Sequence, residues 1–321
     1  MSNVALVILF NHNYEANIEK LRKVYQARFS NIYFIMPFYR GNDPHVIAVY
    51  ENSFYFQGYI AKALEQLSVH NYDHYMFVGD DLILNPSINE NNYKESFKIN
   101  NESGFMPDLF LLTDLTQTSP NRPFAPYWPG LVEAARFRIK QRGIEISKFL
   151  PSYEEAKSKL ARHGLHFTPT LSLQFALKPL KKIPFTKADF EYKKRVIKNY
   201  ADNIKDLVFK RKLQYPLVGA YSDLCIVPNG AVKDMIAYCG TFAALNLFVE
   251  VALPTAFAMS VPAASTEATL GMRGLTLWNP TTVGAFEQKY QQDLGYLFEH
   301  FPEATLYIHP IKLSRWKLAS L

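Results

Sequence analysis

The chain has 321 residues, 48% hydrophobic and 20% charged, which excludes a disordered polar chain and is long enough for a sizeable buried core. A net charge of +6 and a pI of about 9.0 suit an anionic ligand or membrane surface. No RNA- or DNA-binding motif and no Arg/Gly-rich tail accompanies that charge, so no nucleic acid is expected as a partner, and the two cysteines, Cys225 and Cys239, exclude a disulfide framework.

Val4–Phe10 is an unbroken apolar run without the basic flank or cleavage site of a secretion signal, and reads as a first core strand. From Tyr14 to Arg28, apolar Ile18, Leu21 and Tyr25 recur at helical spacing. Ile32–Met36, closed by Pro37, is a second strand and His45–Tyr50 a third. Ser53 reads as the N-cap of a helix through FYFQGYIAKALEQL, and HYMFVG is a fourth strand. Near-continuous apolar strands between helices point to a mostly parallel α/β sheet covered on both faces. In such sheets ligands bind beyond the carboxyl ends of the strands, here Asn11-His12-Asn13 and Asp80-Asp81.

Residues 85–104, rich in Asn, Glu and Ser, read as a surface loop, and Asp108–Leu112 as a short apolar run. The prolines of NRPFAPYWPG prevent regular structure. From Leu131 to about Lys212 the chain is charged and mostly helical, an inserted region or lid. Its basic run, residues 181–212, is a solvated helix face or, as a second option, a patch for peripheral membrane contact. The α/β pattern then resumes with a strand at Leu224–Val227 and two apolar helices. LTLWNP, a helix near Ala285–His300, and ATLYIHPIKLSRW complete it. No stretch is long enough to span a bilayer; the nearest, AALNLFVEVALPTAFAMSVPAA, is interrupted by Glu250 and two prolines.

YMFVGDDLILNP carries the chemistry. Two adjacent carboxylates after a buried strand repel one another and need a compensating charge. A divalent cation of the Mg²⁺ or Mn²⁺ kind supplies one. One Asp capping the following turn while the other is solvated is the structural alternative. Glu250 lies in an otherwise apolar helical stretch, where it is either a buried, paired structural acid or a base facing a crevice. Asp223 is either a turn or cap residue or a substrate contact.

HYMFVGDDLILNP resembles the aspartate metal motif of GT-A-fold, nucleotide-sugar-dependent glycosyltransferases of the bacterial surface-polysaccharide and exostosin-like kind, with GDD in place of a strict Asp-x-Asp. The resemblance implies a GT-A-like (Rossmann-like) fold in which residues 1–115 form a nucleotide-sugar-binding half. Residues 116–214 would be the helical insertion and 215–321 the acceptor-binding half. It also implies Mn²⁺ or Mg²⁺, a nucleoside-diphosphate-sugar donor and a glycan or glycolipid acceptor. The expected place is cytoplasmic, or peripheral to the inner membrane, in lipopolysaccharide, capsule or other surface-polysaccharide synthesis.

By the same resemblance Asp81 ligates the metal, and Asp80 joins it or binds the donor's sugar or ribose. YIHPIKLSRW offers His309 as a further ligand and Lys312 as the diphosphate contact. Asn11, His12 and Asn13 would meet base and ribose, and Tyr55, Gln57 and Lys62, with Gly58 between them, would line the donor site from the next helix. Asp223 and Glu250 become acceptor-side candidates. A sugar-phosphate nucleotidyltransferase is the competing enzyme reading, but FNHNYEAN has neither Gly nor Arg to hold a triphosphate. A non-catalytic carbohydrate-binding protein is the other alternative, while P-loop and dinucleotide-binding readings fail because neither glycine pattern occurs.

Overall fold

The structure, a computed structural model, describes residues 3–112, 134–141, 144–145, 148–170, 198, 201, 205–210 and 212–318. The chain begins with β1 (Val4–Leu9), α1 (Ile18–Tyr25), β2 (Asn31–Pro37), β3 (Val46–Val49), α2 (Phe56–Leu67) and β4 (His74–Gly79). Next come β5 (Ile83–Leu84), α3 (Tyr93–Ser96), β6 (Ser103–Phe105) and β7 (Phe110–Leu111). The middle contributes a hairpin of β8 (Lys140–Gln141) and β9 (Ile144–Glu145), then α4 (Tyr153–Ala161). The last third holds β10 (Val218–Gly219), β11 (Leu224–Pro228), α5 (Val232–Ala244), α6 (Val249–Ser260) and β12 (Ala263–Ser265). It ends with α7 (Glu267–Leu270), β13 (Arg273–Thr276), α8 (Pro280–Lys289), α9 (Leu294–Glu299) and β14 (Thr305–His309).

The main sheet has seven strands in the order β12-β6-β11-β4-β1-β2-β3. Every neighbouring pair is parallel except those made by β11, which runs against both β4 and β6. The protein is therefore α/β with a mostly parallel sheet flanked by helices, compatible with a Rossmann-like fold. Side chains of a strand alternate between faces, so β1 serves two cores. Ala5, Val7 and Leu9 pack with α2, α5 and α6, whereas Val4, Leu6 and Ile8 pack with α1, α9 and β14. Burial on both sides is why these strands lack a polar stripe.

Described parts of the middle segment join the first of these cores. Phe137, Leu150, Leu160 and Phe167 are buried in the same cluster as α5 and α6. Most of the basic run 181–212, with the membrane contact expected of it, and all of NRPFAPYWPG lie outside the described residues. Among the described residues no helix is long and apolar enough to cross a membrane.

Three sequence expectations need correction. Asn52, not Ser53, accepts the capping hydrogen bond, from the Phe54 N–H, and a 3-10 turn over Ser53–Tyr55 precedes α2. Residues 85–104 are not simply a surface loop. Their Asn side chains cap local turns, as Asn85 does for Ser87 N and Asn100 for Glu102 N. Between those turns Ile88, Tyr93 and Phe97 are buried, and Ser103–Phe105 supplies the strand between β11 and β12. The single helix predicted near Ala285–His300 is two, because Gln291 and Gln292 adopt positive φ and Asp293 caps a new start by accepting from Gly295 N and Tyr296 N.

The buried His74 ties this correction together. Its Nε2 faces the carbonyls of Asn100 and Ser103 at 3.1 and 3.0 Å and so carries the proton, while Nδ1 accepts from the Tyr93 hydroxyl at 2.8 Å. Burial holds the imidazole below its ordinary range, ahead of the opposing pull of the Ser103 carbonyl. A depressed imidazole contributes stability that is full above the unfolded value of about 6.5 and is lost as pH falls below it. His74→Gln should therefore cost about 1–3 kcal/mol at pH 7.5, with a smaller deficit at pH 5, measured by urea unfolding. Gly104→Ala should cost about 1–3 kcal/mol by the same measurement, because its Cβ would lie 2.4 Å from the Ile226 carbonyl oxygen.

Candidate functional site

Three chain segments converge at the carboxyl end of β4. Asp80 N–H donates to the Leu9 carbonyl at 2.9 Å, extending the β1–β4 pairing by one step. Gly79 N–H donates to the Asp223 carbonyl at 2.9 Å, bringing in the residues before β11. Ile311 N–H donates to the Asp81 carbonyl at 2.7 Å, bringing in the chain after β14. A small second sheet, β13-β14-β5, makes this last approach possible: β5 leaves the Asp pair directly and pairs antiparallel with β14.

The Asp223 loop is fixed by a proline in a helix. Pro254 lies inside α6 and has no N–H to give the Glu250 carbonyl one turn earlier. Ala220 N–H takes that acceptor instead, at 3.1 Å. Ala220 is three residues before Asp223, so the interruption in α6 anchors the strand of chain that carries the acid.

Asp81 is buried between Lys312 and His309. Lys312 Nζ donates to its Oδ2 at 2.5 Å, and His309 Nε2 lies 3.1 Å from Oδ1. The same Nε2 is 3.9 Å from Asp223 Oδ2. Burial pushes the Asp81 carboxyl up, but His309 and Lys312 together outweigh it and hold the group at about 2. His309 answers in kind: burial lowers its pKa, and hydrogen bonding to Asp81 with the charges of Asp223 and Asp81 raises it above the ordinary range. Lys312 acts on Asp80 as well, but more weakly than burial and the neighbouring Asp81 charge. Burial, then the neighbouring Asp81 charge, pushes Asp80 up to about 7, against the N–H and side-chain amide of Asn11, at 3.2 and 3.4 Å from Oδ1. Burial also raises Asp223, with His309 opposing. The two adjacent acids thus differ by environment: one is a firmly ionised anion and the other titrates near neutrality.

An aromatic wall stands beside the acids on the β11 side. Tyr221 stacks on Tyr307, with centroids 5.8 Å apart and planes 3° from parallel. Both Tyr221 and His309 meet the ring of Trp278, at 6.2 and 5.5 Å. Neither Tyr221 nor Trp278 was among the predicted site residues. A Trp directly before an Asn-Pro helix start was the available signal, since such a position is held rigid without being buried.

The remaining predicted residues spread over the same edge and beyond it. Asn11 contacts Asp80, whereas Asn13 is exposed and donates through Nδ2 to the Phe38 carbonyl at 3.0 Å. His12 is exposed, with its ring against Tyr14. Tyr55 is half-buried against Phe54. Gln57 is fully buried and turned into the core, donating to the Leu247 carbonyl at 2.7 Å. The Glu51 carboxylate stands over Gly58, so that approach is filled by a flexible side chain. Lys62 pairs with Glu65 at 2.9 Å on the outer face of α2. Glu250 is half-buried in the first turn of α6, where the helix dipole favours an anion.

Among the described residues no group of three or more His, Cys, Asp and Glu side chains is arranged to hold a metal ion. The chemistry of the pair Asp81 and His309 still suits a divalent cation shared with substrate phosphates, since Mg²⁺ and similar ions commonly take only one or two carboxylates from the protein. Asp81 Oδ1 faces His309 Nε2, and a carboxylate oxygen has a second lone pair for such an ion. No family model, curated protein or solved structure matches this chain.

The ion-pair geometry has a direct consequence for stability. His309→Leu removes one of the two cations and should lower the unfolding free energy by on the order of 3 kcal/mol. Adding Asp81→Asn to that variant should recover part of the loss, a coupling that a double-mutant cycle reads directly.

Proposed function

We propose that this protein is a glycosyltransferase of GT-A-like architecture that moves a sugar from a nucleoside-diphosphate sugar to a hydroxyl of a glycan or glycolipid. The observation that carries the reading is the meeting of Asp81 with His309 and Lys312 at the carboxyl end of a parallel strand. A half-exposed lysine supplies a positive charge of the kind a departing diphosphate needs. Lys312 keeps 55% of its side chain exposed while its ammonium is held on Asp81, so it is placed to shift from the carboxylate to an incoming phosphate. His309 then remains as the proton-bearing partner of Asp81.

In a metal-bound form His309 would give up that proton and join Asp81 as a neutral ligand, and the cation would add charge neutralisation of the leaving group. On the β1 side, Asp80 and Asn11 are placed to accept from and donate to ribose hydroxyls. On the β11 side, Asp223 offers a carboxylate whose raised pKa suits a general base toward an acceptor hydroxyl. Glu250, whose backbone anchors the Asp223 loop, is the second candidate for orienting that acceptor.

The reading is tested with a panel of UDP-, GDP-, ADP- and dTDP-sugars, with and without Mn²⁺, by thermal shift and by release of free nucleotide. Binding and turnover of one donor are expected; a chain that binds none of them is not this enzyme. With the donor in hand, Asp81→Asn and Lys312→Ala should each lower kcat by about 10²-fold or more while the circular dichroism spectrum is unchanged. Wild-type rates in both would remove the carboxylate cluster from the mechanism.

A further inference from the structure

Trp278 is 59% exposed, an unusual state for a large apolar ring that is also held firmly in place. Leu277 N–H, just before it, donates to the His309 carbonyl at 2.8 Å. Asn279, just after it, caps α8 by accepting from Thr282 N–H at 2.8 Å, and Pro280 opens the helix. The ring itself rests against Tyr221 at 80° and His309 at 61°. Behind Tyr221, the Tyr307 hydroxyl donates to the buried Glu267 at 2.8 Å, so the stack beneath is fixed as well. The ring is therefore preorganised, and more than half of its surface is uncovered.

The polar atoms under it are the second observation. Tyr221 is 4% exposed and His309 7%, and the Tyr221 hydroxyl is turned to the Asp223 carboxylate, which ties the aromatic wall to the acid cluster. A flat, fixed apolar surface at the edge of a carboxylate cluster matches a pyranose, which has an apolar C–H face and a rim of hydroxyls. Topology separates this place from the nucleoside end. Asn11 and Asp80 stand toward β1, whereas Tyr221 and Trp278 stand toward β11, with Asp81 and Lys312 between them.

We propose that Trp278 forms the subsite for the glycosyl ring of the donor, with the indole covering the ring's C–H face and Tyr221 holding the indole from beneath. The inference rests on the nucleotide-sugar reading, because it is the diphosphate at Lys312 that brings the ring to this side.

The test uses the full chain labelled with 5-fluorotryptophan. It has three tryptophans, and Trp278→Phe assigns the fluorine resonance of residue 278. UDP and GDP are titrated against UDP- and GDP-hexoses, with calorimetry in parallel. The expected result is a shift of the Trp278 resonance by a hexose-bearing ligand and not by the matching bare diphosphate. Trp278→Ala should weaken the nucleotide hexose by roughly tenfold while leaving the bare nucleotide unaffected, and Trp278→Phe should retain most of the affinity. A nucleotide hexose that binds by calorimetry without moving this resonance overturns the subsite and leaves the glycosyltransferase reading standing. An equal shift by the bare nucleotide marks a base-stacking ring and also overturns it. If no nucleotide and no nucleotide hexose binds, the glycosyltransferase reading itself fails and the donor subsite fails with it.

Discussion

The Asp81 carboxylate is a full charge at the end of a strand whose side chains are all buried, and it is stable there only because cations come to it. A buried carboxylate without a partner costs several kcal/mol, as much as a substantial part of a domain's net stability. His309 and Lys312 remove that cost, and they arrive from the far end of the chain. The docking of β14 on β5, the Ile311 to Asp81 backbone bond and the second sheet are the scaffold that delivers them. Fold and site are thus joined by a single ion-pair cluster, and any ligand that draws Lys312 away leaves His309 as the guard on that charge.

The acid on the other side is placed by a different constraint. In α6, Pro254 leaves the Glu250 carbonyl without its helical donor, and the chain meets that vacancy with the N–H of Ala220. A buried carbonyl has to be satisfied somewhere, and here the satisfaction ties the helix to the loop of Tyr221 and Asp223. The aromatic wall and the carboxylate thereby share one anchor. The interrupted apolar helix, which in the sequence argued against a membrane span and offered Glu250 as a candidate base, anchors the loop of Tyr221 and Asp223.

Much of the first hundred residues was legible because the strands are short, continuous and apolar. β1, β2, β3 and β4 lie where periodicity puts them, and the carboxyl ends that periodicity marks are the ends where Asp80, Asp81 and Asn11 stand together. Legibility failed where neighbours override local composition. Ser103–Phe105 reads as polar loop, yet it is a strand because β11 and β12 bury it from both sides. Gln57 reads as a helix-start ligand, yet its amide is spent on the Leu247 carbonyl in the core. The break at Gln291 and Gln292 has no glycine to announce it.

The sequence by itself determined the class of the fold, the edge on which the adjacent acids stand and the residue types available there. Those follow from alternation, strand length and the expense of adjacent buried charges, all of which are local. Tertiary structure alone decided which charges pair: Lys312 and His309 with Asp81, Asn11 with Asp80, and Trp278 and Tyr221 beside them. That outcome depends on how β5 and β14 meet and where an α6 carbonyl finds its donor. Both are contacts between residues distant in sequence, so no local pattern encodes them.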